Sequence, residues 1–294
     1  MGMRIEVVPY LFISLAIGVL VWLVCKLAKV RQGRALAAGG FIFLLLGFYM
    51  LVFFRDPPRT PPACPDAIVS AADGKIANVI VVPRDEFEAL CRDSGLDGIK
   101  VERMSRLLQT DVVRISIFLS LVDVHVNRAP ISGTSEFLGY FPGRRHFTFL
   151  EKSSRENQHN AIYMHNEHTA SLIQQIVGPI ARRVVYWPDH DNPVELEIGY
   201  PFGMMKFGSR LDMYFPVGDV TVKVQEGDRV RAGETVVARL NSLASAEMPS
   251  DEMPSDDCQA CCGPRPDAAP VEPDDAAEDG EEEETAAGWA EAAD

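Results

Sequence analysis

Charge is absent from two stretches of this 294-residue chain, 7–25 and 35–54. At 19 and 20 residues, each matches the roughly 20 apolar residues that a helix needs to cross a hydrocarbon core. The sequence therefore predicts two transmembrane helices. Trp22, Cys25 and Lys26 supply no small-residue cleavage site, and the second apolar stretch follows at once, both of which argue against a removed signal peptide. A charge bias across the hairpin is missing as well. The connecting loop carries Lys26, Lys29, Arg31 and Arg34, against Arg4, Arg55, Arg59 and the amino terminus on the other side, so the positive-inside rule does not choose an orientation.

Basic residues are nearly absent from 241–294. That segment holds 17 acidic residues and one basic residue, Arg265, which leaves 42 − 17 = 25 acidic against 28 − 1 = 27 basic residues in 1–240. The net charge of −14 thus belongs to the tail, and the body is close to neutral. Rich in Ala, Pro, Asp and Glu, the tail has too little apolar surface to offset the entropy of ordering it, and a disordered extension is expected. Six cysteines suggest no disulfide framework: Cys25 lies in an apolar stretch, Cys64 and Cys91 are isolated, and Cys258, Cys261 and Cys262 crowd into the tail. No second ligand pair accompanies that cluster, so no metal site is expected.

Two kinds of cofactor chemistry also lack their signatures. There is no convincing pyridoxal-anchoring lysine motif. No lysine stands at an exposed hairpin tip as a covalent carrier domain requires, since Met204-Met205-Lys206 falls elsewhere. His146, His159, His165, His168 and His190 sit in polar contexts without metal-ligand spacing, and read as surface histidines.

What the body does contain is a succession of short β-branched runs ended by Gly, Pro, Asp or Asn. Residues 76–82, 112–119, 161–164, 184–187 and 220–224 read as strands. Residues 86–93 and part of 172–183 read as helix, the latter interrupted by Pro179. The expected class is α+β and strand-rich, with an anchor at 1–54, a body at 55–240 and the tail beyond. Within 218–240, the tight turns at Gly227 and Gly233 resemble half of a lipoyl-like barrel sandwich.

Gly208-Ser209, by itself, reads as a turn. Its company changes that reading. Ser70-Ala71-Ala72-Asp73-Gly74-Lys75, then Asp123-Val124-His125-Val126-Asn127-Arg128-Ala129-Pro130, then Phe207-Gly208-Ser209-Arg210 with Asp212 follow one another, with Phe54-Arg55-Asp56-Pro57-Pro58-Arg59 ahead of them and Gly178-Pro179-Ile180-Ala181-Arg182-Arg183 between. In this order, from about residue 54 to 240, they resemble the phosphatidylserine decarboxylase family, and within it the short-form, pyruvoyl-dependent branch.

The resemblance implies the chemistry. An α-carboxylate leaves as carbon dioxide when the carbanion is delocalised into an electron sink. A pyruvoyl group derived from Ser209 provides it by forming a Schiff base with the substrate amine. Attack of the Ser209 hydroxyl on the Gly208 carbonyl, elimination and hydrolysis would make that group, leaving fragments 1–208 and 209–294 as a heterodimer. A serine hydroxyl needs a base for such an attack, and the family motifs place acid-base functions on Asp73 and His125. One departure stands out: the longer bacterial branch has a second histidine three residues after the first, where this chain has Arg128. The division of labour for His125 therefore stays open. Arg128, Arg182 and Arg183 are candidate contacts for substrate carboxylate or phosphate, as are Arg144 and Arg145 for anionic headgroups, and Asp123 reads first as a turn residue.

The expected substrate is phosphatidylserine in the membrane, with the body on the cytoplasmic face; homo-oligomers are possible and no nucleic-acid partner is expected. Two other readings remain, a membrane-anchored barrel-sandwich adaptor without catalysis and a decarboxylase of a related serine phospholipid.

Overall fold

The computed structural model describes residues 2–96, 103–143, 157–178, 184–206 and 209–244. Helix α1 (Val8–Leu27) starts with a proline in its first turn, where the missing N–H costs nothing. Helix α2 (Gln32–Phe53) returns beside it. Both extend slightly beyond the uncharged stretches, taking in Lys26 and Arg34. They are long and apolar enough to cross a membrane, and most of their side chains remain exposed, unlike the core helices of a soluble fold. They cross at glycines: a Cβ on Gly18 would lie 2.8 Å from the Gly39 carbonyl oxygen, and one on Gly39 would lie 2.6 Å from that of Gly18. Small residues permit this close approach where lipid supplies no hydrophobic drive between helices. The open ends of the hairpin are closed by a two-residue ribbon, β1 (Gly2–Met3) antiparallel to β2 (Arg55–Asp56).

The body is strand-rich, as expected. In chain order come β3 (Ala67–Val69), β4 (Gly74–Val82), helix α3 (Arg84–Asp93), β5 (Val112–Leu119), β6 (Val126–Arg128), β7 (Gly133–Phe141) and β8 (His159–His165). They are followed by β9 (Ala170–Val177), β10 (Val184–Tyr186), β11 (Val194–Leu196), β12 (Pro201–Met205) and β13 (Ser209–Pro216), then β14 (Val220–Val222), β15 (Arg229–Val230) and β16 (Val236–Leu240). Eight of these form one antiparallel sheet in the order β11-β7-β8-β9-β13-β5-β4-β15. Two three-stranded sheets, β10-β12-β6 and β14-β16-β3, flank it.

Alternation along the central strands sends Ile115, Ile117, Leu119, Leu211, Met213 and Phe215 to one core. Val112, Leu172 and Tyr214 face a second core, where α3 contributes Phe87, Leu90 and Cys91. Their i, i+3, i+4 spacing makes the buried stripe of that helix, and Asp85 and Glu86 in its first turn with Arg92 in its last suit its dipole.

Three expectations change. Residues 172–177 are strand, the end of β9, bonded on both edges to β8 and β13. A strand buried on both faces lacks clean alternation, so its period resembles that of a buried helix. The 218–240 segment divides between two sheets, β14 and β16 joining β3 while β15 joins β4, and no closed barrel forms among the described residues. Cys64 is disulfide-bonded whereas Cys25 and Cys91 are free. One described cysteine thus enters a disulfide where the spacing suggested no framework.

Candidate active site

The three sequence motifs meet at one end of the large sheet. Ser209, the first residue of β13, pairs with Leu119 at the end of β5 on one side and with Val177 at the end of β9 on the other. Across β5, Lys75 pairs with Phe118, which brings Gly74 level with Leu119. Two strand spacings therefore separate the Asp73 turn from Ser209, about 10 Å. Gly74 has φ +153°, and a Cβ there would stand 2.3 Å from the Phe118 carbonyl oxygen. Only glycine lets the chain leave β4 so close to β5.

Asp73 is buried and fully engaged. Its Oδ1 accepts from the Ala232 N–H at 2.7 Å and its Oδ2 from Arg59 Nη2 at 2.8 Å. Burial raises its pKa above the ordinary carboxylate range, outweighing the opposing pull of the Ala232 hydrogen bond and of the Arg59 charge. Arg59 also pairs with Glu234 at 2.8 Å. The turn preceding β16 and the segment following α2 thus converge on one carboxylate.

His125 is buried too, yet only half of its ring is satisfied. Nδ1 lies 2.9 Å from the Asp123 carbonyl oxygen. A carbonyl only accepts, so Nδ1 carries the proton and Nε2 keeps its lone pair. That Nε2 has no hydrogen-bond partner among the described residues. The ring stacks on Phe53 with centroids 4.0 Å apart. Burial lowers its pKa to about 4, assisted by Arg55 and opposed by the Asp123 carbonyl and carboxylate. At neutral pH the ring is a neutral, desolvated base. Asp123 behaves as the turn residue it resembled, its carboxylate accepting from Ser120 N at 2.8 Å and Ser120 Oγ at 2.6 Å.

Ser209 is fully buried, and its Oγ likewise has no hydrogen-bond partner among the described residues. An orphaned buried hydroxyl is costly unless it has chemical work. The chain reaches it from the histidine: Met204 is in register with Val126, and the Met205 N–H donates to the His125 carbonyl at 3.1 Å. Phe207 and Gly208 lie outside the described residues, as do Arg144, Arg145, Arg182, Arg183 and the tail. On the opposite face of β13, Arg210 donates to Asp212 at 2.7 Å and to Ser116 at 2.8 Å. Desolvation of Asp212 would raise its pKa, but Arg210 and Arg114 outweigh it and hold the carboxyl low.

Arg128, which stands where the longer branch has histidine, is a structural tie. Its guanidinium binds Asp56 and the carbonyls of Pro57 and Gly199, the latter two at 3.1 and 3.0 Å. Its own N–H donates to the Ala71 carbonyl at 2.9 Å, joining β6 to the Asp73 turn. Asn127 accepts from Gln175 Nε2 at 2.7 Å, and Gln175 Oε1 accepts from Asn160 Nδ2 at 3.1 Å. This amide chain braces β6 against β8 and β9.

Several contributors were not legible in the sequence. Phe53 belongs to an apolar run that only membrane length explained. Arg59 and Asp56 lie in the quoted block after α2, but only the fold pairs them with Asp73 and Arg128. Met204 packs with Val7, Phe53 and Phe54, and Lys206 lies 5.7 Å from the ring centroids of both Tyr10 and Phe54. His159, expected at the surface, is instead buried: it begins β8 inside the sheet, stacks on Phe141 at 5.2 Å and faces the Asn157 carbonyl at 2.9 Å. Its polar sequence neighbours, Asn157, Gln158 and Asn160, are buried along with it.

A family model described as phosphatidylserine decarboxylase matches residues 46–238, which is 193 of the 294 residues and takes in Asp73, His125 and Ser209.

Proposed function

The chain belongs to the phosphatidylserine decarboxylase family, an enzyme family that turns phosphatidylserine into phosphatidylethanolamine and carbon dioxide, and we propose that it acts through a carbonyl made from Ser209. The observation that carries this reading is a pair of buried polar atoms without a hydrogen-bond partner among the described residues, Ser209 Oγ and His125 Nε2, with the histidine carbonyl accepting from Met205 N–H four residues before the serine. A buried hydroxyl and a neutral buried imidazole with a free lone pair suit proton removal from a nucleophile.

In the first step His125 takes the hydroxyl proton and Oγ attacks the Gly208 carbonyl carbon. His125 returns that proton to the Ser209 nitrogen as the Gly208–Ser209 C–N bond breaks, giving an ester and a free amine on Ser209. Loss of the Ser209 Cα proton then expels the Gly208 carboxylate and leaves dehydroalanine. Water adds to its imine tautomer and releases ammonia, so residue 209 ends as a pyruvoyl group on an 86-residue fragment, 294 − 208. That group supplies the electron sink when the substrate amine is bound to it. His125, relieved of its first task, is placed to move a proton at the substrate carbon. Asp73, held by Arg59 and Ala232, fixes the turn beside β5. Arg128 enters as the tie between β6 and the Asp56 junction, while Arg182 and Arg183 are proposed as headgroup contacts.

We read α1 and α2 as spanning the membrane, so that a diacyl substrate reaches the site without leaving the bilayer, and place the body on the cytoplasmic face as the family resemblance implies. A reporter fused after Leu240 that works only outside the cytoplasm reverses that placement. The chemistry is tested by the intact mass of the purified protein. Two fragments, with residue 209 lacking its amine, are expected. A single full-length chain with an ordinary serine overturns the reading.

A further inference from the structure

We propose that the turn 120–123 is a second membrane contact, with Leu121 and Val122 seated in the headgroup–acyl boundary beside α2 so that the site opens at the lipid surface. This rests on reading α1 and α2 as membrane spans and the substrate as a lipid.

Leu121 is 49% exposed and Val122 65% exposed, adjacent to one another at the tip of the turn. Within the body's other described loops and strands, exposed large apolar side chains such as Tyr140, Tyr200 and Val217 occur singly. The turn is preformed: Asp123 accepts from both the N–H and the hydroxyl of Ser120, and the Asp123 N–H donates to the Ser120 carbonyl at 3.1 Å. Those contacts turn one carboxylate oxygen inward and leave two apolar side chains at the tip.

The turn is also fastened to the end of α2. Tyr49 Oη donates to the Leu121 carbonyl at 3.3 Å, and Arg55 donates to the Val122 carbonyl at 2.7 Å and the Val52 carbonyl at 2.8 Å. Tyr49 lies four residues before Phe53, about 6 Å along the helix. The Leu121 carbonyl therefore reaches back past the end of the span, to the level where tyrosines sit at membrane interfaces. A chain segment at that depth, presenting leucine and valine, faces lipid. Three residues beyond Val122, His125 stacks on Phe53, so the depth of the turn sets the height of the base above the bilayer. The occupant is thus the bilayer itself, contiguous with the surface the spans already bury.

The test uses the full chain in vesicles of phosphatidylcholine containing phosphatidylserine. A Val122→Trp variant is compared with the parent in lipids brominated near the headgroup end of the acyl chain. Extra quenching of the introduced tryptophan is expected. Quenching equal to the parent's overturns the proposal whether or not the protein decarboxylates anything. In a second arm, Leu121→Ser/Val122→Ser is expected to lower turnover of bilayer phosphatidylserine by roughly tenfold or more. Fragment formation at Ser209 and turnover of a water-soluble short-chain phosphatidylserine should stay unchanged. Equal losses on both substrates mean a structural role for the turn and overturn the proposal. Quenching without any decarboxylation by the parent leaves the membrane contact standing and removes the proposed reaction instead.

Discussion

Asp73, just before β4, and His125, just before β6, are both buried and both ionisable, yet their surroundings treat them differently. Each carboxylate oxygen of Asp73 has a donor, whereas His125 spends one nitrogen on a carbonyl and the other has no partner among the described residues. Burial shifts the two in directions that favour their neutral forms, but Arg59 and Ala232 oppose the shift at Asp73. A group with a donor on each oxygen holds structure. One with a free, desolvated lone pair can accept a proton. On this contrast we propose His125 as the base and Asp73 as a positioning residue.

The largest test concerns the atom both residues serve. Ser209→Ala should give no fragments and no decarboxylation, read by intact mass and by carbon dioxide release. Next, His125→Gln should slow fragment formation by roughly 10²-fold or more, the usual contribution of a positioned general base. Asp73→Asn should slow it by only about tenfold, on the order of one charge-assisted hydrogen bond. Equal losses in the two variants would erase the distinction and make Asp73 a reacting group.

A smaller effect sharpens the comparison through pH. With its pKa lowered to about 4, His125 stays neutral across the ordinary histidine range, so the rate of fragment formation should hold down to about pH 5 and fall only nearer 4. Stability follows the same sign. Between 6.5 and about 4 the unfolded chain would take up a proton at His125 that the folded one does not, so stability declines as pH falls through that window. Phe53→Ala admits water beside the ring and should move the acid limb of the rate upward by about one unit, while Phe53→Leu moves it less. An unmoved limb in Phe53→Ala would mean that the stacked phenyl ring does not set the base.

Much of this was legible before folding. The strand at Val112–Leu119 shows in its β-branched run, and the two spans in their freedom from charge, because short periods and hydropathy are local properties. Asp73, His125 and Ser209 stood out by order along the chain. The segment 172–177 was misread because a strand covered on both faces loses its alternation. His159 was misread for the complementary reason: a polar neighbourhood suggests a surface, and here Asn157, Asn160 and Gln175 are buried with hydrogen-bond partners. The tie that Arg128 makes was not legible locally because its carboxylate partner, Asp56, lies 72 residues away.

Sequence by itself determined the two long apolar helices and the strand-rich α+β class, since each depends on residue type and local spacing, while the family resemblance pointed to Asp73, His125 and Ser209. Tertiary structure decided which polar atoms are satisfied. It gave Asp73 two donors, tied Arg128 to Asp56, left Ser209 Oγ and His125 Nε2 without a partner among the described residues, and laid Phe53 from the end of α2 against the imidazole. Those outcomes depend on pairings between distant segments and on the exclusion of water, neither of which is encoded in any single stretch of chain.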